Sequence, residues 1–135
     1  MPLPVFEDSC PFPLSKALIE LINAEIVKAG ADLRQGVILN FRDPTYSPEA
    51  GGYHPVEIAI DRKGILLYVT DFAFVGRAPF AEQTKEIDFD FTLSAFQHFG
   101  VEFPLERGRG LFQLWQRNFI SYYRGGVYTV DCEPL

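Results

Sequence analysis

A chain of 135 residues with 47% hydrophobic content and 13 phenylalanines carries enough apolar material for one domain with a real core, which excludes a disordered or low-complexity polypeptide. A formal charge of −6 and a pI near 4.8 work against non-specific nucleic-acid binding, which depends on clustered Lys and Arg. No apolar run approaches the roughly 20 residues of a spanning helix, so neither a nucleic-acid nor a membrane partner is expected.

The opening "MPLPVFEDSC" lacks the basic segment and long apolar stretch of a secretory signal, and a cytoplasmic location is expected. In that reducing setting Cys10 and Cys132 should be free thiols, although chain ends often meet in a folded domain. With no CxxC and two histidines, a structural zinc site has almost no ligands, and no cofactor or metal is expected.

In "FPLSKALIELINAEIVKAGAD", Leu14, Ala17, Leu18, Leu21, Ile22 and Ile26 recur at helical spacing. Pro13 suits the first turn and Gly30 the C-terminal cap. "GVILNF" (36–41), "HPVEIAIDR" (54–62) and "ILLYVTDFAF" (65–74) are rich in β-branched and aromatic residues and read as strands. Val56, Ile58 and Ile60 alternate with Glu57, Ala59 and Asp61, and "DRKG" supplies a tight turn, so the second and third strands should form a hairpin.

After a connection broken by Gly76 and Pro79, "KEIDFDFTLSAFQHF" alternates again as one long strand, bent near Ser94. Ile87, Phe89, Phe91 and Leu93 should point inward, and Glu86, Asp88, Asp90 and Thr92 outward. "GLFQLWQRNFISYYRGG" returns to helical spacing, with Leu111, Leu114, Trp115, Phe119 and Tyr122 as its stripe, before a closing strand in "VYTVDCE". The order α-β-β-β-β-α-β predicts a single α+β domain over 1–135. Its antiparallel-dominated sheet of about five strands should carry the N-terminal and C-terminal helices on one face.

The loop "NFRDPTYSPEAGGYHPV" holds Arg42, Asp43, Tyr46, Glu49, Tyr53 and His54, a set able to do acid–base work or hold an anion. It also has the chemistry of an ordered turn. Asp43 can accept backbone hydrogen bonds, Pro44 and Pro48 fix φ, and Gly51 and Gly52 permit positive φ. His54 has no Ser or Cys nucleophile nearby, and His98, among Phe96, Phe99 and Gly100, reads as a half-buried packing residue.

Glu86, Asp88 and Asp90 lie roughly 7 Å apart along one strand face, too far for a tight cation site unless a second strand brings Asp61, Asp71 or Asp131 alongside. A solvated face is the expectation. In "ERGRG", Arg107 and Arg109 precede a helix N-terminus and could hold a phosphate or carboxylate, or pair locally with Glu102 or Glu106.

The runs "LNFRDPTYSPEAGGYHPVEIAI", "DFAFVG", "EIDFDF" and "GRGLFQLWQRNFISYYRGGVYTVDC" together resemble the uncharacterised bacterial family DUF2787 over almost the whole chain. The resemblance implies a small bacterial single-domain protein and carries no activity, cofactor or site residue onto this sequence.

Two function classes follow. The first is a non-enzymatic binding or accessory module that recognises a protein or peptide partner through the 42–54 loop and the adjoining sheet edge, with Arg42, Asp43, Tyr46, Tyr53, His54, Arg107 and Arg109 as binding residues and no catalytic set. The second is a small enzyme for an anionic ligand, with His54 or Asp43 as proton carrier and Arg42, Arg107 and Arg109 holding the anion. Self-association as a homo-oligomer through a sheet edge or the last helix is compatible with either.

Overall fold

The computed structural model describes residues 10–30, 33–47, 49, 51–75 and 82–135. Gly76, Pro79 and Pro48 lie outside the described residues, as does the opening segment before Cys10. Among the described residues seven strands form the sheet: β1 (Val37–Arg42), β2 (Val56–Ile60), β3 (Leu66–Val75), β4 (Glu82–Asp90), β5 (Ala95–His98), β6 (Val101–Pro104) and β7 (Thr129–Pro134). They pair antiparallel in the order β6-β5-β4-β3-β2-β1-β7, an open meander closed on one side by the last strand. Helix α1 (Lys16–Ala29) precedes the sheet and α2 (Arg109–Arg124) comes between β6 and β7. The α+β class and the two flanking helices agree with the sequence; the strand number does not.

The extra strands come from the segment expected as one long bent strand. β4 ends at Asp90, whose Oδ1 accepts the amides of Thr92 and Leu93 and the Thr92 hydroxyl, and this turns the chain back on itself. Ser94, at φ 52, completes the reversal, so Ala95–His98 pairs with β4 instead of extending it. Leu93 therefore sits at the turn, 73% exposed, and does not join the apolar face. "VEFP" then adds β6 beyond β5.

Helix α1 starts later than Pro13 suggests. Ser15 is the cap, its hydroxyl accepting the Leu18 amide at 3.0 Å, and Pro13 stays outside. Gly30 closes the helix at φ 61, where its amide reaches the carbonyls of Ile26 and Val27. Leu18, Leu21, Ile22 and Ile26 are buried as their spacing predicts.

The stripe of α2 is rotated from the expected one. Phe112, Trp115, Gln116, Phe119 and Ile120 are buried, while Leu114 and Tyr122 face outward. Gln116 explains the rotation: it is only 2% exposed, accepts the Ser15 amide at 2.9 Å and donates to the Pro13 carbonyl at 3.0 Å, docking α2 on the start of α1. A buried glutamine with both ends engaged belongs to the core face, although hydropathy assigns it to water.

The core lies between the helices and one sheet face. Val37, Leu39 and Phe41 of β1, Val56, Ile58 and Ile60 of β2, and Phe89 of β4 all point into it. Phe119 links the layers, with its ring 4.9 Å from Phe41 edge-on and 4.8 Å from Trp115 stacked. The "DRKG" turn forms as expected, with Asp61 accepting the amides of Lys63 and Ile65. Cys10 and Cys132 are free thiols, and burial raises both pKa values.

Three further expectations are corrected. Asp88 is buried on the face away from the helices and bonded to the Thr70 hydroxyl at 2.8 Å, so it is not solvated, and burial raises its pKa. His98 is exposed, not half-buried. The strands flanking the 43–55 loop, β1 and β2, are both interior, so among the described residues no free sheet edge adjoins that loop directly and the edges are β6 and β7.

Candidate functional site

The loop between β1 and β2 is built around Asp43. Its Oδ1 accepts the amide and hydroxyl of Thr45 at 2.9 and 2.7 Å, and its Oδ2 accepts the Tyr53 amide at 2.9 Å. These donors hold the Asp43 carboxyl below the usual carboxylate range, the Tyr53 amide contributing most. Ser47 and Gly51 exchange two backbone hydrogen bonds, and Gly52, at φ 130, fits where a Cβ would meet Asp43 Oδ2 at 2.9 Å. Among the described loop residues, Asp43 thus caps the backbone of Thr45 and Tyr53, and this fixes where Tyr53 and His54 stand.

Tyr53 leans over α2, its ring centroid 4.6 Å from that of Tyr122. His54 turns beneath it, with Tyr46 5.4 Å away. Under this bridge lies a cleft of about 380 Å³ between the loop, the start of β2, the middle of β3 and β4, and the outer flank of α2. Tyr53, Leu114 and Tyr122 form its exposed rim, at 39%, 49% and 37% exposure, and Trp115 and Phe119 form part of its inner wall.

The floor is polar. His54 Nδ1 lies 3.0 Å from Asp71 Oδ1 and 2.8 Å from Glu86 Oε2. Asp71 comes from β3 and faces the helices because it pairs with Val56 and Ile87, both of which face that way. Glu86 arrives through a β-bulge. Asp71 pairs with Ile87 but the next residue, Phe72, pairs with Lys85, so Glu86 is the extra residue of β4 and is re-aimed toward the cleft.

Asp71 Oδ2 accepts the Trp115 indole N–H at 3.3 Å, joining the floor to α2. The hydrogen bond with Asp71 raises the His54 pKa, the charges of Asp71 and Glu86 add to it, and partial burial opposes it. Burial raises the pKa of the neighbouring Tyr128 phenol as well.

The binding residues expected from sequence thus divide. Tyr53 and His54 line the cleft; Asp43 and Tyr46 support them. Arg42 is exposed at the end of β1, opposite Thr129, and Arg107 is exposed before α2. Arg109 forms a two-pronged pair with Glu106 at 2.6 and 3.1 Å and covers the Phe12 ring at 5.0 Å, the local pairing that "ERGRG" allows. Among the described residues no Lys or Arg lines the cleft, so the three arginines do not converge on His54 to hold an anion there.

Asp71 and Glu86 were missed as partners of His54. One imidazole nitrogen and two carboxylate oxygens, within 4.8 Å of one another, can share a proton, accept donors from a ligand or hold a cation. The only signal in the sequence was that Asp71 stood among three aspartates, with Asp61 and Asp131, that a second strand could bring beside Glu86; the pairing of β3 with β4 is what brings it there.

Residues 15–133 match the family described as "Protein of unknown function (DUF2787)". The chain belongs to that family. Two solved structures from Vibrio cholerae are similar to this DUF2787 member. A hypothetical protein of the VSP-II pathogenicity island is 30% identical at a TM-score of 0.79, over 92% of this chain and 96% of that one. A conserved hypothetical protein of pathogenicity island VPI-2 is 33% identical at a TM-score of 0.78, over 92% and 97%. Comparison with curated proteins gives no match. Among the described residues no helix is long and apolar enough to cross a membrane.

Proposed function

We propose that this DUF2787 member is a non-enzymatic binding module, and that its site is the cleft under the Tyr53–Tyr122 bridge. The occupant is a peptide segment of a protein partner, lying along the outer flank of α2 and setting one side chain into the cleft. The observation that carries this reading is the make-up of the rim: Tyr53, Leu114 and Tyr122 stand exposed around a concave, partly polar floor. Large rigid aromatic surface around a pocket is the composition that anchors partner residues at interfaces. The absence of cationic side chains from the described lining favours this reading over an enzyme acting on an anion.

Selection of a displayed random-peptide library on the immobilised protein tests it. Enriched peptides should lose binding to Tyr53→Ala and Tyr122→Ala and keep it with Gln97→Ala on β5, away from the cleft. Peptides that bind all four proteins equally would defeat the assignment of the cleft.

A further inference from the structure

We infer that His54, Asp71 and Glu86 form a site for one divalent first-row transition-metal ion, of the Zn²⁺ or Co²⁺ kind and not Mg²⁺ or Ca²⁺. The inference goes beyond partner recognition and stands on these donors alone.

The three side chains come from three places in the sheet: the residue pair before β2, the middle of β3 and the bulge of β4. His54 Nδ1 stands 2.8 and 3.0 Å from the two carboxylate oxygens, and all three donor atoms fall within 4.8 Å of one another. An ion with bonds of roughly 2.0–2.2 Å places neighbouring ligand atoms roughly 3 to 3.5 Å apart. The imidazole nitrogen is already close to that spacing from each carboxylate, and the two carboxylate oxygens lie within 4.8 Å of each other, so an ion needs only small side-chain adjustments.

Charge and exposure fit as well. Two carboxylates and a neutral imidazole carry −2, which one divalent ion balances; without it, a proton on Nδ1 shared between the carboxylates does part of the same work. The side chains of His54, Asp71 and Glu86 are 38%, 15% and 23% exposed, desolvated enough to gain from a cation and reachable from the cleft. The Trp115 indole holds Asp71 Oδ2 and leaves Oδ1 turned toward His54, the outer contact that orients a ligating carboxylate.

Selectivity follows from the nitrogen donor. Calcium takes six to eight oxygens and magnesium keeps most of its waters, whereas imidazole with carboxylates suits zinc and its neighbours. Three protein ligands leave positions open toward the cleft, where water or a donor from a bound partner completes the set.

The test is Co²⁺ titration of the full chain followed by visible absorption, with Zn²⁺ displacement and equilibrium dialysis. One equivalent of Co²⁺ should bind with bands of nitrogen and oxygen ligation, be displaced by Zn²⁺, and resist a large excess of Mg²⁺ or Ca²⁺. His54→Gln, Asp71→Asn and Glu86→Gln should each abolish stoichiometric binding, and Trp115→Phe should weaken it about tenfold. His98→Gln and the Cys10→Ser/Cys132→Ser protein should bind as the parent does. In the unaltered protein, ¹⁵N NMR should show the His54 ring nitrogens shifting on Zn²⁺ addition while those of His98 stay, a readout that needs no variant to fold. No binding by the parent, binding that survives loss of all three ligands, or binding that vanishes with the cysteines would overturn the inference. Each leaves the peptide test of the cleft untouched.

Discussion

Glu86 and Ile87 are sequence neighbours on a strand, yet both line the cleft on the helix side of the sheet. Only one of them has a paired partner there, Ile87 opposite Asp71, because the register of β3 against β4 shifts between Asp71 and Phe72. The bulge takes a carboxylate that strict alternation would send to the far face and brings it within hydrogen-bonding distance of His54. The place of Glu86 in the polar floor of the cleft depends on that irregularity.

Gly52→Ala should loosen the loop. A Cβ there would meet Asp43 Oδ2 at 2.9 Å and the Tyr46 Cα at 3.0 Å, at a φ of +130 that side chains rarely adopt. A stability loss of about 1–3 kcal/mol is expected in urea denaturation, together with faster amide exchange at Tyr53. Gly51→Ala, with nothing within 4 Å of its Cβ, should cost less, about 1 kcal/mol for its φ of +73.

Two glycines at the start of α2 should respond in opposite directions. At Gly108 a Cβ would stand 2.9 Å from Phe96 Cγ and 3.1 Å from Phe89 Cε1, both parts of the core. Gly108→Ala should therefore destabilise by about 1–3 kcal/mol through overpacking. Gly110 has nothing within 4 Å and lies inside the helix, so Gly110→Ala should stabilise by about 0.5–1 kcal/mol. Thermal unfolding of the two variants checks the sign directly.

The Tyr123 hydroxyl donates a short hydrogen bond to Glu25, a carboxylate only 5% exposed on α1 that Lys28 also reaches at 3.2 Å. Tyr123→Phe should cost about 1.5–3 kcal/mol at neutral pH, the range for a hydrogen bond to a charged group. The Tyr123 pKa is pushed up to about 12 from 10.0, first by burial and then by Glu25. The folded state therefore keeps this proton longer than the unfolded chain does. The stabilisation is complete below about pH 10 and declines as pH rises toward 12. Subtracting the Tyr123→Phe stability curve from that of the parent should isolate this decline; a difference flat across that window would contradict the assignment.

Asp43 titrates with the opposite sign. Its pKa is lowered in the fold by the Tyr53 and Thr45 donors, so its contribution is present above the ordinary carboxylate range and disappears as pH falls through the lowered value. Amide exchange at Tyr53 should accelerate at low pH in the parent beyond the intrinsic trend. Asp43→Ala should show the faster exchange already at neutral pH.

Much of the frame was readable in the sequence because one physical rule governed it. Alternation placed Val56, Ile58 and Ile60 inward, and helical spacing placed Leu18, Leu21, Ile22 and Ile26 on the core. The misses have local causes. Asp90 capping its own turn split one predicted strand into two, Gln116 rotated α2 by satisfying its polar ends inside, and Asp88 found Thr70 and stayed buried. The turn chemistry of the loop was recognisable from its Asp, Pro and Gly residues, but which of Arg42, Asp43, Tyr46, Tyr53 and His54 line the cleft was not, because that depends on how the loop folds over α2. Asp71 and Glu86 could not be joined to His54 by pattern, since their meeting depends on strand register and on a bulge.

The most direct measurement is chemical-shift mapping of the ¹⁵N-labelled protein with a peptide enriched on it by selection. The largest changes should fall on the Trp115 indole, Asn118, Tyr122 and the amides of Tyr53 and His54, all at the cleft. Changes centred on Glu57, Tyr68 and Thr70, across the sheet from the helices, would show that the protein meets its partner on the opposite face and would contradict the site assigned here.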